Sequence, residues 1–127
     1  MDKKNAKILL VDDNDVTREV LRVILRSEGY NVVGEATDGG TGLELAMKLR
    51  PDLILLDIVM PKITGTEILP RIRELLPEAR VLMVTANKDQ DTITEVVKNG
   101  IHGYILKPFN AQKIIDTVEA VVAKINK

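Results

Sequence analysis

The feature that most constrains this chain is a strict alternation, repeated five times, of short apolar runs with longer stretches of helical period. Residues 7–11 read as a fully buried strand. Residues 14–27 read as a helix whose apolar stripe is Val16, Val20, Leu21, Ile24 and Leu25, ended by Glu28-Gly29. Residues 31–36 form a weaker strand, interrupted by Gly34 and expected on the outside of a sheet. Asp38 and the glycines 39, 40 and 42 open a helix with Leu43, Leu45, Ala46 and Leu49 on its face, closed by Arg50-Pro51. Residues 53–56 are the most apolar run and belong at a sheet centre. Residues 65–76 are helical, with Pro70 assigned to the neighbourhood of the first turn, where proline is tolerated. A strand at 81–84, a helix at 89–99 capped by Gly100, a strand at 104–106 and a helix at 110–125 complete the series.

Strands and helices in strict alternation, with short connections, imply a parallel sheet covered on both faces. With right-handed crossovers, the economical solution is an α/β, doubly wound, five-stranded parallel sheet of order 2-1-3-4-5: a flavodoxin-like (βα)5 three-layer sandwich. The 127 residues are expected to form a single domain, 1–127, with its core at about 6–125. In that order the first and third strands flank the switch point, where ligands bind at the strands' carboxyl ends.

The residues at those ends are charged. Ile8-Leu9-Leu10-Val11 runs into Asp12-Asp13, Leu53-Ile54-Leu55-Leu56 into Asp57, and Tyr104-Ile105-Leu106 into Lys107-Pro108. Thr85 ends the fourth strand. Each has an ordinary reading alone: an acidic pair before a helix caps it, Thr85 bonds local backbone, Lys107 is a surface lysine and Tyr104 is packing. Gathered at one sheet edge, three carboxylates require a compensating cation. They supply hard oxygen ligands, which suit Mg²⁺ and admit Mn²⁺, rather than zinc or copper. With Lys107 and the Thr85 hydroxyl, such a cation forms a receptor for a phosphoryl group. Asp57 is the centrally placed carboxylate able to accept it.

Composition excludes other classes. A net charge of −1 offers no general footprint for nucleic acid, and three aromatic residues (Phe109, Tyr30, Tyr104) offer no stacking platform. There is no cysteine, hence no disulfide or thiolate site. Neither a signal-peptide pattern at Met1-Asp2-Lys3-Lys4-Asn5 nor a membrane-length apolar run is present, so a cytoplasmic location without membrane or direct nucleic-acid contact is expected.

The chain resembles the receiver domain of two-component response regulators, with a fold like that of the chemotaxis regulators. The resemblance rests on Ile8-Leu9-Leu10-Val11-Asp12-Asp13, on Asp57-Ile58-Val59-Met60-Pro61 followed by Gly65, on Thr85-Ala86 and on Lys107-Pro108-Phe109. It implies a signalling switch, not an enzyme acting on other molecules, in which Asp57 takes a phosphoryl group from a histidine kinase, a phosphotransfer protein or a small phosphodonor. It implies direct Mg²⁺ ligation by Asp13 and Asp57, a water-mediated contact from Asp12 and a carbonyl ligand from Val59. Thr85, Ala86 and Lys107 would bind the phosphoryl group. Thr85 and Tyr104 would relay its presence to the face of the fourth helix, fifth strand and fifth helix, which meets a partner protein or output domain. A cis Lys107-Pro108 bond is also implied. Thr64 departs from the family's usual acidic or amide residue, and Asn99, Ile101 and His102 replace smaller residues beside the expected output face. Val59 and Asn87 occupy positions that govern water access to the acyl phosphate, and Val59 implies a long-lived phosphoryl state.

A flavodoxin-like redox protein is disfavoured because Asp12-Asp13 would repel a cofactor phosphate, and no Walker loop supports an NTPase. The alternatives kept are a phosphorylation-independent scaffold and a phosphohydrolase with an Asp nucleophile, although Val59 stands where such a hydrolase places its second acid. The last helix, apolar at Ile114, Ile115, Val118, Val121, Val122 and Ile125, is broad enough for a homodimer contact, so a monomer or weak homodimer is expected. Kinase, signal and output, and whether the chain acts alone or within a longer regulator, are not encoded in these patterns.

Overall fold

The computed structural model describes residue 2 and residues 5–57, 65–86 and 90–125. Five strands, β1 (Lys7–Val11), β2 (Asn31–Ala36), β3 (Leu53–Leu56), β4 (Arg80–Thr85) and β5 (Gly103–Leu106), alternate with five helices. The helices are α1 (Asp15–Ser27), α2 (Gly39–Leu49), α3 (Gly65–Leu75), α4 (Gln90–Lys98) and α5 (Ala111–Val122). All strand pairs are parallel, in the order β2-β1-β3-β4-β5. This is the doubly wound sheet that the alternation predicts.

Period-two side-chain alternation on buried strands divides the core into two layers. Ile8, Leu10, Leu53, Leu55, Leu82 and Val84 face α1 and α5, meeting Leu21, Leu25, Ile114 and Val118. Leu9, Val11, Ile54, Leu56, Val81 and Met83 face the other way, toward Leu43, Ala46, Ile68, Ile72 and Val96. β3 is buried at every position, as a central strand must be. β2 is an edge strand, and its register with β1 shifts between Ile8 and Leu9, so that Leu9 pairs with Gly34. A Cβ on Gly34 would stand 2.9 Å from Leu49 Cδ1, so glycine here permits the close approach of α2.

Several expectations require correction. Val16 and Val20, assigned to the core stripe of α1, are exposed, as is Val23; Leu21, Leu25 and half-buried Ile24 carry the packing. The remaining inner side of α1 is taken by Arg18 and Arg22, which pair with Glu35 on β2. Pro70 is the sixth residue of α3, beyond its first turn. The bond it lacks is to the Thr66 carbonyl, and burial of Ile68, Leu69 and Ile72 holds the helix regardless. α5 gives way to a turn after Val122 rather than running to residue 125, and its apolar stripe is core except for half-buried Ile115. No helix among the described residues is long and apolar enough to cross a membrane.

Candidate functional site

The strand ends meet because the backbone ladder runs one residue past each strand. The Asp57 N–H donates to the Val11 carbonyl at 2.9 Å, the Asp12 N–H to Ala36 at 3.0 Å and the Lys107 N–H to Thr85 at 2.9 Å. Asp12, Asp57 and Lys107 are therefore placed by sheet register rather than by loop conformation. Asn14 then starts α1, its side chain accepting from the Thr17 N–H at 2.9 Å, so the chain turns sharply away after Asp13.

Asp12, Asp13 and Asp57 each present a carboxylate oxygen within 4.8 Å of the others. Asp12 and Asp57 are buried and Asp13 is exposed. The Lys107 ammonium bridges the buried pair, Nζ lying 3.0 Å from Asp12 Oδ2 and 3.2 Å from Asp57 Oδ2. Burial raises the Asp12 pKa above its ordinary value, against the lowering effect of the Asn14 N–H and of Lys107. Burial alone would lower the Lys107 pKa, but its hydrogen bonds to, and the charges of, Asp12 and Asp57 outweigh it, and the net shift is upward.

These residues fit a hard divalent cation: the donors are all oxygens, from three side chains, with one face left to solvent by Asp13. Thr85 is fully buried at the end of β4, and Ala86 is exposed just beyond it. Tyr104 is half-buried against the α2/α3/α4 core layer. Lys107-Pro108 is cis, as the resemblance implied. Val59, Met60, Pro61, Thr64 and Asn87 lie outside the described residues.

The profile of the response regulator receiver domain matches residues 8–119. The chain belongs to this family. This receiver domain is 39% identical to Protein CcdB of Bacillus subtilis over 92% of its own length and 98% of that protein. It is 34% identical to the transcriptional regulatory protein DegU of Brevibacillus brevis over 95% of its length, but spans only 52% of that longer relative. Among solved structures it superposes on the CheX-CheY-BeF3-Mg²⁺ complex of Borrelia burgdorferi with a TM-score of 0.89 and 31% identity, covering 94% of this chain and 90% of that one. Receiver domains are signalling switches rather than classical enzymes, and the acidic pocket of this one suits Mg²⁺ binding and phosphorylation.

Two contacts, one in the site and one far from it, escape a reading of strand-end charges. Arg18 donates from Nη1 to the Asp12 carbonyl at 2.7 Å, a contact whose only sequence signal is its place in the first turn of the helix that follows the acid pair. His102, expected beside the output face as a surface variation, accepts the Val81 N–H on Nδ1 at 3.1 Å, at the start of β4 and the opposite end of the sheet from the pocket.

Proposed function

We propose that this receiver accepts a phosphoryl group on Asp57 in a Mg²⁺-dependent reaction, taking it from the phosphohistidine of a histidine kinase or phosphotransfer protein or from a small phosphodonor. The observation that carries this reading is the bridging of two buried strand-end carboxylates by one ammonium, with a third carboxylate within reach. An Asp57 carboxylate oxygen forms the new bond to phosphorus while the bond from phosphorus to the donor's leaving atom breaks, and that atom departs with the bonding pair. Asp13 and Asp57 would hold the cation directly and Asp12 through water, with Val59, outside the described residues, as the further expected ligand; Mn²⁺ would serve in place of Mg²⁺. When bound, the cation supplies positive charge that offsets the phosphoryl oxygens.

Asp12 has both carboxylate oxygens engaged, Oδ1 by the Asn14 N–H at 2.9 Å and Oδ2 by Lys107, which supports an indirect role. Lys107 passes from the carboxylate pair to a phosphoryl oxygen. Thr85 and the Ala86 backbone take the other oxygens, and Tyr104 follows Thr85 on the same sheet face.

The output surface is the α4–β5–α5 face. An open depression of about 610 Å³ there is lined by Tyr104, Leu106, Pro108, Phe109, Asn110 and Lys113. Val97 and Leu106 leave apolar area on this side for a partner protein or an output domain. A cytoplasmic location belongs to the same reading.

The test is incubation with acetyl phosphate and Mg²⁺, read by intact mass beside an Asp57→Ala control. Gain of one phosphoryl group by the wild type alone, abolished by EDTA, is the expected result. No modification, or equal modification of the control, overturns the proposal in favour of the scaffold or phosphohydrolase reading.

A further inference from the structure

Arg18 is largely buried, and all three of its guanidinium nitrogens are engaged. Nη1 donates to the Asp12 carbonyl at 2.7 Å, Nε lies 3.3 Å from Glu35 Oε1, and Nη2 contacts Asp15 Oδ1. Glu35 is itself fixed. It stands on β2 in register with Leu10, and its second oxygen is held by Arg22 Nη1 at 2.5 Å. A rigid path therefore runs from the sheet, through Glu35 and the planar fork of Arg18, to one backbone carbonyl of the acid pair.

That carbonyl matters because it belongs to the peptide group that leads into Asp13. The group is planar, so fixing the Asp12 C=O also fixes the Asp13 N–H and the direction in which the Asp13 Cα leaves. The Asp13 carboxylate is exposed and makes no hydrogen bond or ion pair among the described residues, so its placement depends on its backbone. The Asn14 N–H bond to Asp12 Oδ1 constrains the same turn from the side-chain side; Arg18 constrains it from the backbone side.

We propose that Arg18 is a positioning residue for the cation: by holding the Asp12 carbonyl it fixes the peptide plane from which Asp13 is presented. The proposal rests on the Mg²⁺ reading above and extends it to a residue that touches neither cation nor phosphoryl group.

Charge alone predicts the opposite effect, which makes the test sharp. Replacing Arg18 removes a positive charge and leaves Asp15 and Glu35 less compensated, so a purely electrostatic role demands tighter cation binding in its absence. A positioning role demands weaker binding. Outer partners of metal ligands typically contribute about 10- to 100-fold in metal affinity, and the lower end, about tenfold, is expected here because Asn14 shares the task.

The experiment is calorimetric titration of Mg²⁺ into the full chain as wild type, Arg18→Met and Arg18→Lys, each checked for native circular dichroism. Arg18→Met is expected to bind about tenfold more weakly. Arg18→Lys keeps the charge and one donor but not the fork, so it is expected to fall between the two, at least about threefold weaker than wild type. In acetyl phosphate labelling, the half-saturating Mg²⁺ concentration should rise while the rate at saturating Mg²⁺ stays within about twofold. Affinity unchanged or tightened in Arg18→Met overturns the proposal. Should that variant not fold, affinity in Arg18→Lys equal to wild type overturns it instead. Absence of Mg²⁺ binding by the wild type refutes the underlying reading, and is thereby distinguishable from failure of the Arg18 role.

Discussion

Lys107→Met is the perturbation that most directly tests the electrostatics of the pocket. Methionine keeps an unbranched stem of similar length and removes only the ammonium. In the wild type, Nζ stands 3.0 and 3.2 Å from two carboxylates, and each contact is worth about 5 kcal/mol of attraction at an effective dielectric constant of about 20. Desolvation of the ammonium opposes this by several kcal/mol. Its removal also leaves carboxylate oxygens within 4.8 Å of each other, a repulsion of about 3 kcal/mol on the same scale. The fold has an escape, however: one carboxylate takes up a proton. At pH 7, against an ordinary Asp value of 3.8, that costs about 4 kcal/mol, which sets the ceiling on the loss. A loss of about 3–4 kcal/mol at pH 7 is expected, as for other buried pairs broken on one side. In the variant the carboxylate's folded pKa is raised further above its unfolded value. Its protonated form is therefore favoured by folding, and the deficit relative to wild type shrinks by up to about 1.4 kcal/mol per unit as pH falls from 7 toward 5. Urea unfolding in EDTA, followed by far-UV circular dichroism because the chain has no Trp, measures both quantities. A loss below about 1 kcal/mol at pH 7, or one that does not shrink at pH 5, would refute the account.

Packing beside β1 and the far end of the sheet offer two further tests. A Cβ at position 42 would lie 2.8 Å from Val11 Cγ1, so Gly42→Ala should destabilise by about 1–3 kcal/mol in the same assay despite the higher helix propensity of alanine; a stabilised variant would show propensity to be dominant. Burial lowers the His102 pKa below 6.5, with Arg73 and Arg80 acting in the same direction, and Nδ1 accepts the Val81 N–H. The stability this gives is complete above the unfolded value of 6.5 and is lost as pH falls through the lower folded value. His102→Ala should therefore lose about 1 kcal/mol at pH 7.5 and show a flatter stability profile between pH 6.5 and 5, measured by urea midpoints; an unchanged profile would remove His102 from the account.

The parts of the molecule legible in the sequence are those governed by period and by strand ends. β3 is buried on both faces, so its four consecutive apolar residues carry an unambiguous signal, and the residues after β1, β3 and β5 follow from register once the strand order is known. What escaped is governed by long-range contacts with no local pattern. Val16 and Val20 match the helical stripe by spacing, yet α1 is rotated so that Arg18 and Arg22 reach Glu35 on a strand more than ten residues away. Gly42 resembles a loose helix start, whereas its neighbour across the layer is Val11, immediately before Asp12. His102 resembles a surface variation because the Val81 amide it satisfies is 21 residues away. In each case the deciding partner is a backbone group, a packed side chain or an ion pair set by the fold, which composition and periodicity do not carry.

The charge of the pocket explains why a cation and a neutral hydroxyl belong together in the proposed reaction. Three carboxylates and one ammonium leave the metal-free pocket formally doubly negative. A divalent cation brings it to neutrality, and only then does adding the dianionic phosphoryl group at Asp57 cost a single unit of excess charge. Without the cation, the same step would build three negative charges between two buried strand ends, which a low-dielectric interior resists. The remaining excess is best met by a donor that adds no charge of its own, and Thr85 is such a group, fully buried at the end of the neighbouring strand. The sheet register then determines where its movement is felt. Thr85 pairs with Leu106 and Met83 with Tyr104, so Thr85 and Tyr104 lie on one face, two residues out of step, over the core layer that receives Val96 of α4. Under the proposed reaction, a shift of Thr85 toward the phosphoryl group would vacate space on the side where Tyr104 is half-buried. In the proposed switch the Tyr104 ring would fill this space and leave the depression on the α4–β5–α5 face, so that chemistry at β3 would change the shape of a surface two strands away.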